Sequence, residues 1–292
     1  MTRAALFAVL LALSTGASHA SAQDAPNADQ RVILITGSTD GLGREVAVRA
    51  SRTGAFVIVH GRNRARGDSV VEQIRGQGGY ARFYAADLAS LRAVKTFAES
   101  ILRDFHRLDV LVNNAGIWLT SGDRQLSADG HELHFAVNYL AGYALTRALL
   151  PLLTKTPNSR IVNVASAAQN VLQFDNIMLQ QGYSGGRAYG QSKLAQILFT
   201  MDLARELEGK VIVNALHPAT LMNTTMVRNA GAQPRSTIDD GADAVMQLIT
   251  GENIGTGQYF NGLRPGRANA QAYDESAREQ LRALSARLTG VR

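Results

Sequence analysis

From Val32 onward the chain alternates short, uniformly apolar runs with longer stretches of helical periodicity, and this alternation restricts its fold more than any other feature. The runs occupy residues 32–36, 56–59, 81–84, 110–112, 161–164 and 211–214, with a weaker one at 258–260. Helical patterns lie near 42–53, 64–76, 90–104, 126–153, 187–208, 238–250 and 271–288. A strand that is apolar on both faces has to be covered on both faces, and strands separated by helices pair in parallel. The expected fold is α/β: a doubly wound parallel sheet of about seven strands, helices on both faces, forming one domain over 31–292. Such sheets take ligands beyond the carboxyl ends of their strands, where strand order reverses. Residues just after each run are therefore the ones that matter for chemistry.

Residues 1–30 precede the first run. Met1-Thr2-Arg3, the uncharged apolar stretch 4–13, and the small-residue sites Ser18-His19-Ala20 and Ala20-Ser21-Ala22 have the form of a secretory signal peptide. The expectation is a signal peptide over 1–22, a polar linker over 23–30, and export to a periplasm or the exterior. An uncleaved leader or a misassigned start would leave the protein cytoplasmic. The apolar stretch is shorter than the roughly 20 residues that span a bilayer, so the mature chain is expected to have no transmembrane span.

Composition removes other classes. With 46% hydrophobic and 18% charged residues the chain is not disordered. Lacking cysteine, it has no disulfide, thiolate metal site, iron–sulfur cluster or cysteine nucleophile. The net charge of +6 is carried by dispersed arginines rather than by a basic run, so nucleic acid is not an expected partner.

Directly after the first run comes Thr36-Gly37-Ser38-Thr39-Asp40-Gly41-Leu42-Gly43, then a helical pattern. Glycines there let the backbone turn tightly and approach a pyrophosphate, whose charge the positive end of the helix favours. The spacing Gly-x-x-x-Gly-x-Gly differs from the usual dinucleotide fingerprint, but its place between strand and helix points to a Rossmann-type nucleotide loop. The second run ends in Val59-His60-Gly61-Arg62-Asn63. An acid at this point takes a ribose 2′-hydroxyl, whereas an arginine meets a 2′-phosphate. No acid occurs from Phe56 to Gly67, while Arg62, Arg64 and Arg66 do. NADP(H) is expected in preference to NAD(H), with Arg62 as the main phosphate contact and the other two on a solvated helix start.

Tyr189-Gly190-Gln191-Ser192-Lys193 opens a strongly helical segment, and a separation of four puts both side chains on one face. A phenol with a free pKa near 10 needs a nearby cation to work as an acid or base at neutral pH, and lysine supplies one. Tyr143 with Arg147 and Tyr183 with Arg187 share this spacing and are read as surface or loop pairs. Ser166, after the fifth run, stands where a hydroxyl can hydrogen-bond a substrate oxygen. His131 and His134 lack zinc-protease spacing and a third ligand, so they are read as surface residues and no metal is expected.

Thr36 to Gly43, Asp87-Leu88, Asn113-Asn114-Ala115-Gly116, Asn138, Ser166, Tyr189 to Lys193 and His217-Pro218 occur in an order that resembles the short-chain dehydrogenase/reductases. The stretch between Ser166 and Tyr189 and the tail near 272–290 are similar to the retinol dehydrogenase-like branch. The resemblance implies an alcohol–carbonyl oxidoreductase acting on a small, mostly apolar substrate. It implies Tyr189 as general acid and base, with Lys193 holding the nicotinamide ribose and lowering the phenol pKa. Ser166 would orient the substrate oxygen, and Asn138 would anchor a water relay to Lys193. Gly37, Ser38, Leu42 and Asn114 would line the cofactor, Asp87 would contact adenine, and Thr220 the carboxamide. Thr39, Gly41, Gly43, Leu88, Ala115, Gly116 and Pro218 complete the implied cofactor surface, and relatives of this kind form homodimers or homotetramers. Ala219 departs from the family's glycine and puts local geometry there in question. Residues 221–236 read either as a lid over an apolar substrate or as an ordinary surface loop. A non-catalytic dinucleotide-sensing module on the same fold is the alternative function.

Overall fold

The structure, a computed structural model, describes residues 25–120 and 122–291. Its strands are β1 (Val32–Ile35), β2 (Phe56–Gly61), β3 (Tyr80–Ala85), β4 (Val110–Asn113), β5 (Arg160–Val164), β6 (Ile212–His217), β7 (Gln258–Asn261) and β8 (Arg264–Gly266). The helices are α1 (Gly41–Ser51), α2 (Arg64–Gly76), α3 (Leu91–Asp104), α4 (Ala141–Lys155), α5 (Gly185–Glu206), α6 (Thr225–Asn229), α7 (Ile238–Thr250) and α8 (Glu275–Thr289). Strand order is β3-β2-β1-β4-β5-β6-β7-β8. All pairs are parallel except β7 with β8, whose antiparallel Arg264–Gly266 edge adds an eighth strand to the seven expected. That edge is fully exposed and polar, so it carries no apolar run to mark it.

Alternation along each strand builds two cores. Val32 and Leu34 join Phe97, Leu145 and Leu198, from α3, α4 and α5, on one face. Ile33 and Ile35 join Val46, Val70 and Val245, from α1, α2 and α7, on the other. Asp40, Asn63, Ser90 and Ser184 accept backbone N–H groups at the starts of α1, α2, α3 and α5, and Thr237 forms a reciprocal capping box with Asp240 before α7. Strand order reverses at the gap between β1 and β4, which places the ligand crevice above their carboxyl ends.

Three local expectations are corrected. The helix expected over 126–153 starts only at Leu133, because Leu126 and Glu132 pair across a turn that includes Gly130 at φ 80°. His134 is not a surface residue; it is fully buried. Tyr143 is also buried, with the Arg147 guanidinium 5.6 Å from its ring centroid, so that pair belongs to the core and not to the surface.

The leader expected over 1–22 lies outside the described residues. Part of the expected linker is tied to the domain: Gln30 donates to the Gly54 carbonyl and Arg107 to that of Ala28. Among the described residues no helix is long and apolar enough to cross a membrane.

Candidate active site

The loop from Thr36 to Gly43 is clamped from two sides. Gly37 takes φ 65° and Gly41 φ 52°, conformations that favour glycine. A Cβ on Gly37 would stand 2.8 Å from Ala115, and one on Gly43 only 2.3 Å from the Gly37 carbonyl oxygen. From the β4 side, Asn114 donates its side-chain amide to the carbonyls of Thr36 (2.8 Å) and Gly37 (3.2 Å). The Thr36 hydroxyl accepts from the backbone N–H groups of Asn114 and Ala115.

From the β2 side the clamp is His60, whose Nδ1 accepts from the Gly37 N–H at 3.1 Å. Sequence patterning missed this residue, since a histidine inside an apolar run carries no sign of its partner. His60 is buried and its ring stacks on Phe97, and burial holds its pKa down at about 4. The Ala86 carbonyl and Asp87 pull weakly the other way. Above pH 6.5 the imidazole is neutral both folded and unfolded, so it adds no pH dependence. As pH falls from 6.5 towards 4, only the unfolded chain takes up the proton. His60 should therefore account for about 2 kcal/mol of stability lost between pH 7 and 4.5. Urea melts at those two pH values should show that loss in the wild type and not in His60→Gln.

Ser38 turns its side chain into the fold. It is fully buried, its hydroxyl donating to the Ile35 carbonyl and accepting from the His60 N–H. Leu42 is likewise nearly buried and packs in the core beneath α7. At the end of β2, Thr39 packs so closely on Gly61 that a Cβ there would lie 2.5 Å from its methyl. The three arginines separate by their partners. Arg64 lies over the Phe83 ring and Arg66 is 3.9 Å from Asp40, whereas Arg62 is exposed and pairs with no described residue. Asp87 is exposed and caps its own turn through the Ala89 N–H, beside the buried Leu88.

Tyr189, Lys193 and Ser166 converge at the carboxyl end of β5. Lys193 Nζ sits 5.7 Å from the Tyr189 ring centroid, and the Ser166 hydroxyl, which accepts from the Ala168 N–H, lies on the phenol's side of the site. The Ser166 backbone is anchored by the Tyr259 hydroxyl on β7, which donates to its carbonyl at 3.1 Å. Lys193 is buried, and its ammonium donates to the Val164 carbonyl (2.8 Å) and to Gln196 Oε1 (3.0 Å). Burial lowers its pKa to about 7. Burial raises the Tyr189 phenol, and the Ser166 side chain offsets part of this.

Asn138 lies in a π-helical turn, Phe135–Leu140, that leads into α4, a distortion frequent at functional sites. Its side chain accepts from the Ile117 N–H and donates to the Ile117 carbonyl and the Ser192 hydroxyl. It makes no direct bond to Lys193. The two meet across Gly116, where a Cβ would stand 3.3 Å from Asn138 Oδ1 and 3.5 Å from Lys193 Nζ.

After β6, Pro218 is buried and the Thr220 hydroxyl hydrogen-bonds His217 Nε2 at 3.0 Å. Ala219 avoids the left-handed region, which is taken instead by Leu221 at φ 50°, so the departure from glycine brings no strain at 219. Residues 221–236 close on themselves through a Met222–Ser236 bridge and carry α6. Thr224 lies against Gly41, and Thr120 donates to the Ala230 carbonyl, so this segment spans the crevice from the glycine loop to the loop after β4.

The residues suit a nicotinamide dinucleotide. Lys193 uses two of its three ammonium protons on Val164 and Gln196, which leaves one that could serve a ribose hydroxyl. Arg62, at the carboxyl end of β2, is an exposed cation that pairs with none of the described residues. The fold and this crevice define a dinucleotide-dependent oxidoreductase.

The short chain dehydrogenase family model matches residues 31–235, and the chain belongs to that family. Its members are oxidoreductases of small alcohols and carbonyl compounds that use a nicotinamide dinucleotide. Retinol dehydrogenase 14 of Mus musculus is 35% identical over 291 residues, covering 89% of this chain and 86% of that protein. Retinol dehydrogenase 13 of Homo sapiens is 33% identical over 290 residues, covering 89% and 85%. Among solved structures, a protein from Mycobacterium paratuberculosis superposes with a TM-score of 0.75 at 30% identity, covering 92% of this chain and 96% of that one. A short chain dehydrogenase from Escherichia coli CFT073, complexed with NADPH, gives 0.66 at 29% identity, covering 83% and 99%.

Proposed function

We propose that this protein is an NADP(H)-dependent oxidoreductase that interconverts a small, mostly apolar alcohol with its aldehyde or ketone, using Tyr189 as general acid and base. The observation that carries the reading is the gathering of Tyr189, Ser166 and Lys193 at the carboxyl end of β5, with the Lys193 ammonium 5.7 Å from the phenol ring and donating to the Val164 carbonyl of that strand. When bound, the nicotinamide supplies the hydride to the carbonyl carbon or accepts it from the alcohol.

In reduction, the Ser166 hydroxyl holds the substrate oxygen and Tyr189 Oη delivers the proton to it. In oxidation, the tyrosinate takes that proton back. Lys193 directs its remaining N–H at the ribose, and its positive charge stabilises the tyrosinate when it forms. Asn138 fixes the loop after β4 through Ile117 and faces Lys193 across Gly116, where a water relay would run. Gly37, Thr39, Gly41 and Gly43 admit the pyrophosphate backbone-to-phosphate. Asp87, Leu88, Asn114 and Ala115 border the adenosine and nicotinamide sides, and Pro218 and Thr220 the carboxamide.

The test is NADPH oxidation by the purified protein against a panel of aldehydes and ketones. Tight NADP+ binding without turnover of any of them would leave a dinucleotide-sensing module instead. The cofactor preference rests on Arg62, supported by two NADP- or NADPH-complexed structures of similar fold. Arg62→Ala should weaken NADP+ binding about ten- to a hundredfold, the value of one charge-assisted contact, and leave NAD+ binding nearly unchanged. Equal losses for both cofactors, measured by calorimetry, would remove Arg62 as the discriminating group.

A further inference from the structure

We propose that Trp118 is the wall that selects the substrate, favouring flat apolar alcohols and carbonyl compounds, and that the buried Glu132–His134 pair positions it. The proposal deepens, and rests on, the reading of Tyr189 as the reacting group. Trp118 is the chain's single tryptophan. It stands partly exposed in the loop after β4, its ring centroid 5.6 Å from that of Tyr189 at an interplanar angle of 38°. An indole in this place offers a broad rigid face beside the phenol, which a flat apolar molecule can stack against and a short linear one cannot.

The loop cannot carry the indole away, because both neighbours are pinned. Ile117 is held through its N–H and carbonyl by Asn138. Leu119 donates its N–H to His134 Nε2 at 3.0 Å, and its carbonyl oxygen rests where a Cβ of Gly185 would otherwise sit. His134 and Glu132 are both fully buried. Glu132 Oε1 accepts from His134 Nδ1 at 2.8 Å and from the His134 N–H, while its Oε2 accepts from the Phe135 N–H. With Nδ1–H committed to the carboxylate, Nε2 is left as an acceptor, the state the Leu119 N–H requires. A buried carboxylate is costly unless hydrogen-bonded, and here two backbone N–H groups hold it in place while its third bond orients the imidazole. Neither residue is exposed to the crevice; both act through Leu119.

The experiment compares 2-naphthaldehyde with butanal as NADPH-dependent substrates. For Trp118→Ala, the ratio of kcat/KM for 2-naphthaldehyde over butanal should fall about tenfold, mostly through KM, and Trp118→Phe should restore most of it. His134→Leu should lower the same ratio and shift Trp118 emission to the red, whereas His134→Gln, which keeps an acceptor for Leu119, should restore both. A ratio unchanged in Trp118→Ala, or unchanged emission and ratio in His134→Leu, overturns the proposal. If His134→Leu fails to fold, the Gln variant and Trp118→Ala decide. If the wild type binds NADP+ but reduces neither aldehyde, the acid/base reading has failed. Calorimetry of the two aldehydes on the NADP+ complex then tests the wall alone, and equal affinities reject it.

Discussion

Tyr189→Phe is expected to lower kcat about a thousandfold, within the range that positioned acid–base groups contribute, while NADP+ affinity changes little. Phenylalanine retains the ring that neighbours both Trp118 and the Lys193 ammonium, so the packing of both survives. Only the hydroxyl is lost, and with it the group that faces Ser166. The variant should therefore fold, bind cofactor by calorimetry, and fail in single-turnover hydride transfer. Turnover within about tenfold of the wild type would mean that another group moves the proton.

Lys193→Met is expected to abolish turnover and, unusually, to remove a pH dependence of stability. The buried ammonium has its pKa lowered from 10.5 to about 7 by burial. Above pH 10.5 the amine is neutral folded and unfolded alike. Between pH 7 and 10.5 the unfolded chain holds a proton that the folded chain has released, so stability rises with pH across that window. From pH 7 to 9.5 the rise should amount to about 3 kcal/mol in the ligand-free protein. In Lys193→Met the rise should be absent, because there is no amine left to titrate. The substitution leaves the Val164 carbonyl and Gln196 Oε1 without that donor, which offsets part of the stability gained at pH 7. Denaturant melts at pH 7, 8 and 9.5 check the slope. A parallel rise in wild type and variant would assign it to other groups.

Strands β1, β2, β4, β5 and β6 were legible because they are largely buried between helices, and burial on both faces leaves a nearly unbroken apolar run. By contrast, β3 at the sheet edge and β7 are only partly buried and carry weaker ones. The eighth, Arg264–Gly266, is paired on one side only and exposed, so nothing in its composition announces it. The start of the helix before α4 was placed too early. The polar residues after Leu126 read as a continuation of the helix, whereas a bridge to Glu132 and a glycine turn hold them apart from it.

Within the site, Tyr189 and Lys193 could be paired from spacing alone, because four residues along a helix is a local relation that any tertiary context preserves. Ser166 could be placed beside them only through the rule that strand ends converge. Ser38 shows the opposite case. A serine in a glycine loop looks available to a ligand, yet its hydroxyl satisfies Ile35 and His60 inside the fold.

Periodicity and short-range spacing thus determined by themselves the layered sheet, the glycine loop and the tyrosine–lysine pair, since each depends on residues near in the chain. Only the tertiary structure decided that His60 latches Gly37, that Tyr259 anchors Ser166, and that Glu132 and His134 support the loop bearing Trp118. Those contacts join residues brought together by folding, often from different elements, and depend on burial and on which ring nitrogen keeps its proton. Neither quantity is written in the order of residues. Both arise when the elements pack and water is excluded from between them.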